Sequence, residues 1–389
     1  MGRWLRRFLL VAAALLLVFH VGGGWYFSGE LYDRALSGEE RRASLELDPD
    51  LVVAALEGET IVLRTPDGSD APTGLALEGV WGLRWVGGAG LLGEILRSSE
   101  DGVARDFVLL EGDPPVAGQD AELDPRAYPT PEAAGVSVED VLVDGPLGHF
   151  PAWFADGDRP TWVIVIHGNS MSRLDNVRWL PALGRAGYPT LTITYRNDAG
   201  APEDPSGLLR YGSTEWADLD AAVRYALEQG AEEVVLFGDS MGGAVIAAFL
   251  QRSELTPYVG ALVLDAPALD FGQAVDDNAA REPLVGPINV PPTLTATAKW
   301  LAAVRYDVDW AALDYLEDPS IFDLPTFVMH GTDDLTVPIA TSRRLAAAAP
   351  ETVTLVECPG ADHIECWNLD PEAAEERVLD FLAENLGSS

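Results

Sequence analysis

The chain has 389 residues, of which 48% are hydrophobic. That leaves room for one α/β domain of about 250 residues with a smaller module beside it. Its 62 acidic residues outnumber 25 basic ones, giving a formal net charge of −37. Such a surface excludes nucleic acid as a partner, is repelled by anionic lipid head groups, and favours neutral or cationic substrates over phosphorylated ones.

Three arginines, Arg3, Arg6 and Arg7, precede an almost unbroken apolar stretch from Phe8 to Phe27. As a helix this is long enough to cross a bilayer. A cleaved signal peptide has a shorter apolar region, whereas this run continues through Gly22-Gly23-Gly24 into Trp25-Tyr26. Residues 1–28 therefore read as an uncleaved transmembrane signal anchor. With the arginines cytoplasmic, the expected protein is a single-pass cell-membrane protein whose catalytic domain lies outside the cytoplasm.

Residues 29–135 read as a small β-rich domain followed by a proline-containing linker. Short β-branched pieces such as Thr60-Ile61-Val62-Leu63-Arg64 and Phe107-Val108-Leu109-Leu110 alternate with turn clusters at Pro66-Asp67-Gly68 and Gly87-Gly88-Ala89-Gly90. The linker is placed from Pro114-Pro115 to Pro131. A spacer and a wall of the active-site mouth are both open as roles for this module.

From residue 136 to 389, strands and helices alternate. Strands are expected at Asp140 to Val143, His149 to Phe154, Trp162 to Ile166, Thr190 to Thr194, Glu233 to Phe237, Ala261 to Leu264, Thr326 to Met329 and Thr352 to Val356. Between them, Thr214 to Glu228 carries Trp216, Leu219, Val223 and Leu227 at helical spacing. This pattern predicts an α/β fold with a mostly parallel sheet covered by helices on both faces. The stretch from Asp265 to Leu324 is too long for a simple crossover. It contains a helical pattern from Leu294 to Val304, together with Trp300, Trp310 and Tyr315.

The chemistry concentrates at Val234-Val235-Leu236-Phe237-Gly238-Asp239-Ser240-Met241-Gly242-Gly243, a strand ending in G-x-S-x-G that opens into a helix. A serine on so sharp a turn needs neighbours without a Cβ, which Gly238 and Gly242 supply. Ser240 is thus the candidate nucleophile, and it requires a general base and an orienting carboxylate downstream. Of five histidines, His20 lies in the apolar N-terminal run, His149 precedes the core, and His167 and His330 end strands as structural His-Gly pairs. His363, in the loop after the last strand, remains as the base. The carboxylate is expected after the preceding strand, with Asp334 preferred and Asp333 second. Lys299 is the single lysine, so a Ser-Lys dyad has almost no raw material. No zinc-type His or Cys spacing appears, and no metal or cofactor is expected. Cys358 and Cys366 bracket His363; a disulfide and two free thiols are both compatible with their spacing. In Thr194-Tyr195-Arg196-Asn197-Asp198, a loop at the carboxyl edge of the sheet, contact of Tyr195 or Arg196 with substrate is one reading, and an ion pair anchoring the loop is the preferred one.

Gly-Asp-Ser-Met-Gly-Gly, then His-Gly-Thr-Asp-Asp-Leu-Thr-Val-Pro, then Gly-Ala-Asp-His together resemble the serine hydrolases of the α/β-hydrolase superfamily over residues 140 to 386. His167-Gly168-Asn169-Ser170 at a strand end makes the chain look closest to the prolyl-oligopeptidase-like and monoacylglycerol-lipase-like branches. The resemblance implies an antiparallel edge at the start of the sheet and a cap insertion at about 266–324, whose aromatics would either line a substrate pocket or pack the cap onto the core. It implies Asp334 as the acid, since only Asp334 has Val337-Pro338 at the D-x-x-V-P offset. It also implies Asn169 and Met241 as main-chain oxyanion donors. The expected activity is hydrolysis of a small-molecule carboxylic ester, lipophilic in view of the membrane tether, through a Ser-His-Asp triad and an acyl-enzyme. A serine peptidase or acyl-aminoacyl hydrolase and a catalytically silent scaffold are the alternatives. The oligomeric state is not legible.

Overall fold

The computed structural model describes residues 2–38, 47–66, 72–99 and 102–386. The expected turn at Pro66-Asp67-Gly68 lies outside the described residues after Pro66.

The first helix, α1 (Gly2–Leu31), is long and apolar enough, by length and composition, to cross a membrane. Leu9, Leu10, Leu15, Leu16 and Leu17 on it are exposed, with no protein to bury against. The helix does not stop at residue 28. It runs on through a π-helical turn at Tyr32–Leu36, and Leu36 is buried in the core of the large domain. Leu209 N–H donates to Leu36 O at 2.8 Å, and Ser37 forms a bridge with Leu208. Residues 29–38 therefore pack with the large domain and not with the β-rich module to which the sequence assigned them. The cause is the apolar set Leu31, Tyr32, Ala35 and Leu36, which lies on one side of the turn and packs on that core.

Six strands, β1 (Leu51–Glu57), β2 (Thr60–Arg64), β3 (Trp81–Trp85), β4 (Gly88–Ser99), β5 (Gly102–Gly112) and β6 (Asp120–Asp124), close into an antiparallel barrel of order β1-β2-β5-β4-β3-β6. Closure leaves no free sheet edge. Inward residues such as Leu51, Val53, Ile61, Leu63, Trp81 and Phe107 fill it. Arg105 is wholly buried, and its guanidinium donates to the carbonyls of Gly74, Leu75, Leu77, Gly79 and Gly93. The segment read as a linker from Pro114 to Pro131 is corrected: β6 lies inside it and seals the barrel against β1 and β3.

The large domain is an eight-stranded sheet of order β16-β15-β12-β11-β9-β10-β8-β7. Its strands are β7 (Glu139–Gly145), β8 (Gly148–Ala155), β9 (Thr161–Ile166), β10 (Thr190–Ile193), β11 (Glu233–Asp239), β12 (Val259–Asp265), β15 (Thr326–Gly331) and β16 (Val353–Cys358). All eight expected strands are present. β7 and β8 form the antiparallel edge, and the rest run parallel. β9 and β10 are buried at every position, because helices cover both faces of the sheet. One face packs α3 (Trp216–Glu228) through Leu219, Ala222, Val223 and Ala226. The other packs the short α2 (Leu180–Arg185) and the C-terminal α9 (Pro371–Asn385) through Leu183, Val378, Phe381 and Leu382. α4 (Met241–Arg252) follows β11, α7 (Ala340–Ala348) follows β15, and the one-turn α8 (Cys366–Leu369) precedes α9.

Between β12 and β15 the insertion folds as α5 (Phe271–Arg281), a small hairpin of β13 (Pro283–Val285) and β14 (Ile288–Asn289), and α6 (Pro292–Tyr306). Of its aromatics, Tyr315 is fully buried and donates its hydroxyl to Tyr211 O at 2.8 Å. Trp310 donates to Lys299 O at 2.9 Å, and Trp300 faces outward. These three pack or project from the cap; none lines the main cavity.

Candidate active site

β11 is apolar and buried up to Asp239, and the chain then reverses sharply into α4. Ser240 sits at the turn with φ 49° and ψ −114°, a conformation that costs an ordinary residue about 1–3 kcal/mol and persists only where its surroundings enforce it. Ser240 N–H donates to Asp265 O at 2.8 Å, and Ser240 O accepts from Gly243 and Ala268. A Cβ at Gly242 would lie 2.3 Å from Ile166 O, so this helix start can pass β9 only as glycine.

The loop after β16 carries His363 towards the turn. Its Nε2 lies 2.9 Å from Ser240 Oγ, and its Nδ1 lies 2.7 Å from Asp334 Oδ2. The network assigns the proton to Nδ1 and leaves Nε2 to accept from the serine hydroxyl. The Cys358–Cys366 disulfide, with Cα atoms 5.6 Å apart, ties both ends of the loop and resolves the alternative that the sequence left open.

Asp334 is buried behind the histidine. Oδ1 accepts from the N–H groups of Thr336 and Val337, both at 2.8 Å, while Oδ2 faces His363 and also His330 Nε2 at 3.1 Å. Burial by itself would raise its pKa, but hydrogen bonds from His330 and His363, with their charge, hold the carboxyl well below the usual range. Asp333 is exposed, and its Oδ1 accepts from the neighbouring Thr332 hydroxyl at 2.9 Å. Of the two carboxylates, Asp334 is the one that meets His363.

The end of β9 supplies the opposite wall. A Cβ at Gly168 would come 2.9 Å from Ser240 Cβ, so the loop grazes the serine; Asn169 and Ser170 line the space beyond. Asn169 Nδ2 donates to Tyr211 Oη at 3.3 Å. Met241 is the first helical residue after Ser240 and is fully buried. His167, stacked on Tyr195, meets Asp198 Oδ2 at 2.9 Å through Nε2. Arg196 is bonded to both Asp218 and Asp204. These groups brace the loops without lining the cavity, in line with the structural reading of His167 and Arg196.

Sequence reasoning missed three features. His330 braces Asp334, which no spacing rule distinguishes from an ordinary strand-end histidine. Asp239 and Asp265, register partners on β11 and β12 beneath Ser240, are both buried, and among the described residues nothing donates a hydrogen bond to their carboxylate oxygens. Burial, reinforced by the charge of Asp265, pushes Asp239 well above the carboxylate range; burial, opposed by Arg178, raises Asp265 to about 6. The third is the wall of the cavity. Ser240 and His363 lie in a space of about 720 Å³ closed partly by the cap, through Phe271, Val275 and Val290, and partly by α1 and the turn after it, through Tyr26, Phe27, Leu31 and Ala35. No described residue between 47 and 135 lines it, so the barrel is not a wall of the mouth. The barrel docks instead behind the His363 loop, where Asn368 Nδ2 donates to Val80 O and Pro125 O.

Residues 163–377 match the alpha/beta hydrolase family. The chain belongs to that family. A relative of uncharacterised role, YfhR of Escherichia coli K12, is 23% identical over 274 residues, covering 68% of this chain and 86% of that protein. A non-heme haloperoxidase of Rhodococcus erythropolis is 27% identical over 126 residues, 32% of this chain and 40% of that enzyme. Among solved structures, the Pyrococcus furiosus esterase Pf2001 superposes with a TM-score of 0.50 at 19% identity, over 66% of this chain and 96% of that one, a likeness of fold. Together with the fold, family membership supports this alpha/beta hydrolase as an enzyme of the hydrolase class acting on a small molecule.

Proposed function

We propose that this alpha/beta hydrolase is a serine esterase, tethered to the cell membrane by α1, that cleaves carboxylic esters through Ser240, His363 and Asp334. The observation that carries the reading is the hydrogen-bond chain from Ser240 Oγ through His363 to Asp334 Oδ2 at the floor of a largely apolar cavity. His363 Nε2 takes the hydroxyl proton as Ser240 Oγ attacks the ester carbonyl. Asp334, held anionic, stabilises the imidazolium and keeps the ring turned. The main-chain N–H groups of Asn169 and Met241 receive the oxyanion, the latter at the positive end of α4. His363 then returns the proton to the departing alkoxide, and water, activated by the same histidine, releases the acid from the acyl-enzyme. The apolar lining supports an ester over a peptide, whose flanking amides would need partners. With Arg3, Arg6 and Arg7 kept in the cytoplasm, the catalytic domain stands on the outer side of the membrane.

The test is labelling by a fluorophosphonate probe combined with turnover of p-nitrophenyl esters of increasing chain length. Wild type labels and turns over, while Ser240→Ala loses labelling and at least about 10³-fold in kcat. A folded wild-type protein that neither labels nor cleaves any ester overturns the reading and leaves a silent scaffold.

A further inference from the structure

The wall that α1 contributes to the cavity sets how a substrate reaches Ser240. The helix is apolar over Phe8 to Phe27, and its last part does not stand clear of the enzyme. It lies along α6 in the same direction, His20 meeting Thr293, Gly24 facing Thr297, and Arg305 bonding Trp25 O and Ser28 Oγ. A Cβ at Gly24 would fall 2.8 Å from Thr297 Cγ2, so the two helices are in direct contact. His20 lies seven residues before the end of the apolar span, about 10 Å along the helix axis. The start of α6 is therefore level with the outer part of the span. The β13–β14 hairpin adjoins that point and turns its apolar tip outward, with Val285 70% and Ile288 61% exposed. Trp300 and Val304 on α6 are equally bare.

A soluble protein has no reason to gather such side chains around the end of a membrane helix. The cavity begins at the same place: Pro283 and Leu284 of the hairpin line it from one side, and Tyr26, Phe27 and Leu31 from the other. At its rim Arg34 is held between Glu30 at 3.1 Å and Glu282 at 3.5 Å, which joins α1 to the cap.

We propose that the hairpin and α6 bed in the outer leaflet and that the membrane helix forms a wall of the substrate cavity, so that a neutral long-chain carboxylic ester passes sideways from the bilayer to Ser240. The acyl chain runs against Phe27 and Leu31, and the ester meets Ser240 without crossing water. Acidic head groups are disfavoured by Glu30 and Glu282 at the rim and by the net charge of −37. This inference rests on the esterase reading for its chemistry but not for its geometry.

The full-length protein in phosphatidylcholine vesicles tests it with three measurements. The pair Val285→Asp and Ile288→Asp, neither of which lines the cavity, lowers hydrolysis of a long-chain monoacylglycerol dissolved in the vesicle by about tenfold or more, because charge resists insertion. Its turnover of water-soluble p-nitrophenyl butyrate stays within about twofold of wild type. Leu31→Trp lowers the ratio of long-chain to short-chain p-nitrophenyl ester turnover by about fivefold or more through the space it fills. A fluorophore on Ile288→Cys is quenched by brominated lipid. Wild-type hydrolysis of the vesicle ester by the aspartate pair, equal loss on both esters, an unchanged ratio in Leu31→Trp, or no quenching at residue 288 each overturn the proposal. Should the wild type cleave no ester at all, the esterase reading fails, and the quenching alone still decides whether the cap beds in lipid.

Discussion

Replacing Asp334 with asparagine tests the reasoning about the site most sharply, because the shape is kept and only the pattern of donors changes. Oδ1 accepts from two main-chain N–H groups, so the asparagine must keep its carbonyl oxygen there. Its NH2 is then forced to the position of Oδ2, where it faces His363 Nδ1 and His330 Nε2. A donor at that place turns His363 into the tautomer with the proton on Nε2, pointing at Ser240 Oγ, and the serine has lost its base. The charge that would balance the imidazolium is lost in the same step. The expected fall in kcat is about 10³- to 10⁴-fold, or about 4–5.5 kcal/mol of transition-state stabilisation. KM changes little, because Asp334 does not line the cavity. Steady-state turnover of p-nitrophenyl butyrate gives kcat and KM, and the rate of fluorophosphonate labelling reports the nucleophile directly. Asp333→Asn, on the exposed neighbour, serves as control and stays within about twofold of wild type. An Asp334→Asn protein that is folded and retains more than a tenth of the wild-type kcat would refute both the tautomer argument and the assignment of the acid.

Three further outcomes follow from the structure. Gly242→Ala forces a Cβ against Ile166 O and should cost about 2–4 kcal/mol, with a lower urea midpoint; an unchanged midpoint means that α4 does not pass β9 as closely as described. Cys358→Ser with Cys366→Ser opens a short loop and should cost about 2–3 kcal/mol, read as a lower melting temperature matching that of the reduced wild type. The pKa of Asp265 is raised from 3.8 to about 6, so between these values the folded protein keeps a proton that the unfolded chain releases, and stability falls as pH rises through that window. Asp265→Asn should flatten this part of the stability curve, measured by urea unfolding at pH 4 to 7; an equally steep curve in the variant sinks the assignment.

What the sequence by itself determined were the features that a few neighbouring residues enforce. The G-x-S-x-G turn is legible because backbone strain at Ser240 and the close pass at Gly242 admit so few residue types. The eight strands of the large sheet are legible because parallel strands buried on both faces read as continuous apolar runs. The preference for Asp334 over Asp333 leaned on the family resemblance, through its D-x-x-V-P context; in the structure the Val337 N–H donates to Asp334 Oδ1. The approach of His363 to Ser240, 123 positions away, was inferred by elimination, since no local rule measures a distance across the chain. Only the tertiary structure decided the rest. Pairing of β6 with both β1 and β3 turned an apparent linker into the closing strand of a barrel. The disulfide needed the 5.6 Å separation of two Cα atoms, and the bracing of Asp334 by His330 needed the turn after β15 to fold back. The place of α1 in the wall of the cavity was the least legible: hydropathy registers that Phe27 and Leu31 are apolar, but that they line the space beside Ser240 is fixed by the packing of α1 on α6.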